Sequence, residues 1–309
     1  MSKYNTKIRM KLKVIILIIL VVSCICLTTI FVFFRGNSEG PRAIILDNLG
    51  LDRESPSNET ISFVRKTREL LEGIGVKVEY VGVEGVTLKV YQNLAQYNLV
   101  ILRVHSGILV EDNKKIVCFF TSEPLPENPD KYSEWFNKEY LANATLELPN
   151  GVKKSFIGLK PDFIRKCLNG EFHSSIIIAM GCNSSINDSM ARAFVNDRKA
   201  LVYIGWTHDV TVNHTDSATF GLLKSLFKNN ETIKRAIRKV PPDLKTGAKL
   251  TYYPYEAGSL CPKKIIEQLL EKKSSFISDL IDSFSWVLLI SSSASNWFDS
   301  CYRRFFRKF

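Results

Sequence analysis

The strongest constraint on this chain is a stretch that has no place on the surface of a water-soluble domain. Val14 to Phe34 (VIILIILVVSCICLTTIFVFF) runs for 21 residues without a charged side chain. At about 1.5 Å of rise per residue such a helix is roughly 30 Å long, the thickness of a bilayer's hydrocarbon core. A helix packed on a globular core keeps a polar face, and this segment has none. A cleaved signal peptide carries a shorter apolar region and small residues before its cleavage point, whereas bulky FVFF precedes Arg35. The segment predicts an uncleaved signal anchor, a transmembrane helix. Lys3, Lys7, Arg9, Lys11 and Lys13 precede it with no acid, and Arg35, Glu39 and Arg42 nearly balance after it. The positive-inside rule then puts the N-terminus in the cytoplasm and the main domain on the extracytoplasmic side of the cell membrane.

That topology changes the meaning of the charge. The formal net charge is +11, which by itself suggests a nucleic-acid partner. Residues 1–13 hold +5 of it and residues 301–309 hold +4, which leaves +2 for everything between. Basicity confined to the two ends, beside apolar segments, fits a lipid bilayer as partner and argues against nucleic acid. Residues 280–298 (LIDSFSWVLLISSSASNWF) are moderately apolar and read in two ways. They form either a returning second span or an interfacial helix with a basic aromatic tail on the headgroups. The chain then divides into a basic cytoplasmic tail (1–13), the anchor (14–34), a linker (35–41), one extracytoplasmic domain (42–275) and a membrane-proximal tail (276–309).

Of the seven cysteines, Cys24 and Cys26 fall in the anchor. Cys118, Cys167, Cys182, Cys261 and Cys301 are widely spaced, with no C-x-x-C, so no zinc ribbon or thioredoxin-type motif is expected. Asn58, Asn143, Asn183, Asn187, Asn213 and Asn230 each head an N-x-S/T triplet, which permits surface glycosylation.

From residue 42 short apolar runs alternate with helical patterns. Strands are expected at Ala43–Asp47, Val76–Val81, Leu99–Val104, Ser175–Met180 and Ala200–Gly205. Helices are expected at Glu59–Glu72, Leu88–Tyr97, Asn187–Phe194 and Thr215–Lys228. Strands joined by crossover helices mean an α/β fold with a mostly parallel sheet covered on both faces. An insertion of some seventy residues separates the third and fourth strands. It holds an apolar stretch at Ile116–Phe120, a Pro-rich loop, a helix near Tyr132–Tyr140 and a hairpin turning at Pro149–Asn150–Gly151.

Reactive groups in an open parallel sheet gather at the carboxyl ends of its strands. Those ends are Asp47, His105, Cys182 and the run Trp206–Thr207–His208–Asp209. A histidine and a cysteine at one edge are the parts of a thiol nucleophile and its base. Gly107 and Gly181 beside them permit the close backbone approach that an oxyanion hole needs. A helix starting soon after Cys182 would point its N-terminus near the sulfur. The plain alternatives are a core cysteine and a histidine satisfied by backbone. His208 and His214 have no third ligand at metal spacing, and no phosphate-binding, dinucleotide or serine-hydrolase motif occurs. No cofactor and no metal are expected.

A strand ending in His closely followed by Gly (LVILRVHSG), then a strand ending in Cys (SIIIAMGCNSS), resembles the caspase-like cysteine peptidases. That clan takes in caspases, legumain, gingipain, clostripain and the separase and CHAT-type domains. ALVYIGW resembles the strand that follows the cysteine in gingipain- and CHAT-like members. The likeness covers residues 42–230. It implies a doubly wound, mostly parallel caspase-like sheet with helices on both faces, acting on a protein or peptide substrate. It further implies His105 as general base, Cys182 as nucleophile, and main-chain N–H groups at Gly107 and Cys182 holding the oxyanion. The insertion and the loop after Gly205 would form the substrate pocket, with Asp47, Trp206 and Asp209 as its candidate residues. Asp47 and Asp209 read equally as caps of the segments that follow them. Ser106 stands between His105 and Gly107, where members of the clan often have His directly before Gly. Asn183–Ser184–Ser185 follow the cysteine where several relatives have a glycine, and Met180 stands where basic-residue-specific relatives carry an acid. These departures keep a second reading open, an inactive caspase-like surface binding or scaffold module.

Overall fold

Six short runs of aliphatic and β-branched residues pair into the central sheet. They are β1 (Arg42–Asp47), β2 (Lys77–Val81), β3 (Leu99–Arg103), β8 (Ile176–Ala179), β9 (Val202–Trp206) and β10 (Leu250–Tyr253), in spatial order β2-β1-β3-β8-β9-β10. All neighbours run parallel except β10, which returns antiparallel to β9. The structure, a computed structural model, describes residues 40–51, 58–126, 132–148, 150–275 and 278. The apolar segments at 14–34 and 280–298 lie outside these residues. Among the described residues no helix is long and apolar enough to cross a membrane.

The central strands are apolar along most of their length because both of their faces are covered. Ile44, Leu46, Val100, Leu102, Ile177 and Ala179 face one core, with α2 (Leu88–Gln92), α4 (Pro161–Cys167) and α5 (Ser189–Arg192) contributing Tyr91, Phe163 and Met190. Ala43, Ile45, Ile101, Ile178 and Ile204 face the other, against α1 (Asn58–Glu72), α6 (Val212–Leu223) and α7 (Ile233–Arg238). The period of two along each strand divides its side chains between the cores. On α1 the buried stripe is Phe63, Thr67 and Leu71, spaced one turn apart, while Ile61 is left exposed. Gly40–Leu270 form one compact unit.

The insertion after β3 builds a second sheet of four antiparallel strands. These are β4 (Ser106–Glu111), β5 (Lys114–Pro124), β6 (Leu141–Glu147) and β7 (Lys153–Leu159), in order β4-β5-β7-β6, with α3 (Ser133–Asn137) between β5 and β6. Val117, Phe119, Leu141, Ile157 and Leu159 bury into the same core as Val100 and Leu102. Glu123 at the end of β5 also accepts the Leu88 N–H at 2.6 Å, which satisfies an open donor in the first turn of α2.

The chain enters and leaves the unit on the amino side of the central sheet. Lys77 N donates to Pro41 O at 3.0 Å beside the start of β1. The helix at 262–275 brings Leu270 against Gly75, two residues before β2.

Candidate active site

The winding of the sheet selects the place where chemistry can be built. The chain leaves β1 for β2 on one side and then crosses back to β3 on the other, so the winding reverses between β1 and β3, and ligands of such sheets bind at the carboxyl ends beside the reversal. His105 lies two residues past β3 and Cys182 three past β8. In the register Leu102 pairs with Ala179, so both residues stand three positions beyond paired neighbours. Adjacent strands are about 4.8 Å apart, and the sheet therefore carries the histidine and the cysteine to the same carboxyl edge.

Each is held by its backbone. Asn48, fully buried, accepts the His105 N–H at 2.8 Å through Oδ1 and donates to the Phe120 carbonyl at 2.8 Å through Nδ2. One amide thus ties the end of β1 to the end of β3 and to β5. Across the edge, Ser106 Oγ donates to the Cys182 carbonyl at 2.5 Å. Gly181 is needed here, because a Cβ would run into Ser106 Oγ and the Val104 carbonyl oxygen. Past the cysteine, Asn183 takes a left-handed conformation (φ 56°) and turns the chain sharply. Its N–H reaches His208 O at 3.0 Å, and its side-chain amide bonds the Asp209 carboxylate. Only 9% exposed, Asn183 is a structural asparagine rather than a surface acceptor for sugar.

The Cys182 sulfur is partly exposed and carries no disulfide; Cys118, Cys167 and Cys261 are also free thiols. Burial pushes the thiol above its ordinary value. The Val210 main chain opposes this, and the nearby Asp209 carboxylate reinforces it. Val210 N donates to the sulfur at 3.5 Å, and the sulfur lies 3.6 Å from Val210 O. The expected helix N-terminus is not beside the sulfur. Residues 182–188 form turns and bends, and α5 begins only at Ser189. The donor that serves the thiol comes instead from the loop ahead of α6.

The ladder also decides which way the Gly107 N–H faces. Phe120 N donates to His105 O at 2.9 Å, and Gly107 stands opposite Cys118 in the β4–β5 register. Bonded and non-bonded pairs alternate in an antiparallel ladder, so the Gly107 N–H is turned into the sheet. Ser106, between the two bonded pairs, presents its N–H away from β5.

Two of the three expected pocket residues are interior. Trp206 is fully buried, and its ring N–H donates to Thr215 Oγ1 at 2.9 Å. Asp47 is 1% exposed and accepts from Arg103 Nη1 at 2.6 Å. Arg103, equally buried, also grips Asp216 of α6 through two bonds of 2.8 and 2.9 Å. Burial pushes the Asp47 carboxyl above its usual range against the pull of Arg103. Asp209 alone of the three is exposed, beside Cys182. Between α1 and α6 a cavity of about 590 Å³ is lined by Phe63, Lys66, Asp216 and Phe220 among others.

Several residues that build the site carry signals the sequence reading passed over. Arg103 is a charge inside an apolar strand and so requires a buried partner. Asn48 directly follows β1 and Asn183 lies in the turn four residues past β8, places where a side-chain amide can replace a backbone partner. Among the described residues no group of three or more His, Cys, Asp or Glu stands close enough to hold a metal ion. Set beside known proteins, the chain matches no family model and no curated protein.

Proposed function

We propose that this chain is a cysteine endopeptidase of the caspase-like type, held at the cell membrane by the 14–34 helix with residues 42–275 outside the cell. The observation that carries the reading is the register. A histidine and a free thiol each follow by three positions the paired residues Leu102 and Ala179 of neighbouring central strands, at the carboxyl edge beside the winding reversal. Because burial keeps the thiol protonated at neutral pH, attack needs a base at the same moment. His105 takes the Sγ proton as sulfur bonds the peptide carbonyl carbon, and the carbonyl electron pair moves onto oxygen. The main-chain N–H groups of Ser106 and Cys182 receive that oxyanion. Collapse breaks the C–N bond, and the leaving amine takes the proton from His105. Water then hydrolyses the thioester, which releases a carboxylate and restores the thiol.

Either Cys182→Ala or His105→Ala should abolish cleavage of a peptide library and labelling by an electrophilic peptide probe, with the circular dichroism spectrum unchanged. Full cleavage by the Cys182→Ala protein would sink the mechanism. The second reading, a binding or scaffold module without turnover, is favoured by the raised thiol and by its engagement with Val210. Cavities of about 590, 320 and 730 Å³ lie against α1, α6 and α7, and none of the three is lined by His105 or Cys182. A wild-type protein that binds peptides while leaving them intact would decide for that module.

A further inference from the structure

We propose that Asp243 is a positioning residue for the Cys182 thiol, acting through the loop Thr207–Thr211. The inference rests on the reading of Cys182 as the reactive group. Nothing in residue type or sequence distance connects the two, since Asp243 belongs to the segment between α7 and β10. Its side chain is buried at 3% exposure and reaches across to the loop after β9. Thr211 N and Thr211 Oγ1 both donate to Asp243 Oδ2 at 2.8 Å. The other carboxylate oxygen accepts Lys245 N at 2.9 Å, and the Asp243 main chain bonds Ala248 and Gly247. The carboxylate is thus a fixed post rather than a swinging side chain. Thr207 is pinned from the same segment, through Thr207 N to Lys249 O at 3.0 Å and Lys249 N to Thr207 Oγ1 at 3.1 Å.

The loop is therefore held at both ends, and what it carries between them is Val210, whose N–H points at the sulfur. A main-chain donor stabilises a thiolate only if it cannot turn away as charge develops, and Asp243 removes that freedom. The Thr211 bonds hold the Asp243 carboxyl at about 2, so the post stays ionised at any working pH. The titratable groups on the segments around the thiol are His105 after β3, His208 and Asp209 in the loop, and His214 on α6.

The sign of one shift tests this. Removing a negative charge near a thiol lowers its pKa, whereas releasing a donor that stabilises the thiolate raises it. Alkylation of Cys182 by iodoacetamide is followed on the full chain between about pH 6 and pH 10, with the modified cysteine mapped. Asp243→Asn should move the midpoint upward and slow the reaction at neutral pH about threefold or more. Asp209→Asn, which removes the carboxylate beside the sulfur, should move it downward. Thr211→Val, which keeps the N–H bond and loses the Oγ bond, should give a smaller upward shift. A downward or absent shift in folded Asp243→Asn overturns the proposal. If that variant does not fold, an unchanged midpoint in Thr211→Val overturns it. Peptide cleavage is measured separately. An upward shift in a protein that cleaves nothing removes the endopeptidase reading and leaves the positioning role standing.

Discussion

A charge inside an apolar strand has to be answered within the fold, and Arg103 is answered twice. Its guanidinium bridges Asp47 at the end of β1 and Asp216 on α6; Arg103 and Asp47 are 1% exposed and Asp216 only 9%. Removing the arginine leaves two carboxylates buried without their cation. Arg103→Ala should therefore cost about 3–5 kcal/mol, read as a fall in urea midpoint, and Arg103→Lys should recover only part of it. The need for a partner was legible in LVILRV. The partner was not, because Asp216 lies 113 residues away and no local pattern links them. The same ion pair moves Asp47 from a pocket wall to a strut, which a strand-end position alone does not reveal. His105 and Cys182 were legible because a parallel sheet displays its strand ends, whereas Ser106, Asn48 and Asp243 act through backbone contacts that leave no motif.

At the level of elements, the five parallel strands and their crossover helices follow from apolar runs too short for helices and bounded by turn residues. The first hairpin of the insertion has a weak sequence signal because its turn is Asp112–Asn113, without the glycine that marks the commonest two-residue turns. Both residues are left-handed, with φ of 47° and 62°, which suits the right-handed twist of the flanking strands. Asparagine tolerates that conformation and a β-branched residue does not. Asn113→Val should lower stability by about 1–2 kcal/mol in urea titration, and Asn113→Gly should leave it unchanged or higher. β10 is faint in the sequence for another reason. Its four residues pair only with β9 at the sheet edge, so half-burial leaves a weak hydropathy signal.

For the molecule as a whole, the inserted sheet is no separate domain, although its four strands pair into a sheet only with one another. Phe119, Leu141 and Leu159 share a core with the central strands, and Glu123 and Ser122 clamp the start of α2. Residues 40–275 expressed alone should unfold in one cooperative calorimetric transition, with the van't Hoff and calorimetric enthalpies equal. Two resolved transitions would mean that the insertion folds independently. The amino-side entry at Pro41 and the return of Leu270 beneath Gly75 bear on any use of the molecule. A bead, a tag or a tether joined through either end grips its back, and the edge that carries His105 and Cys182 stays turned outward toward whatever arrives from solution.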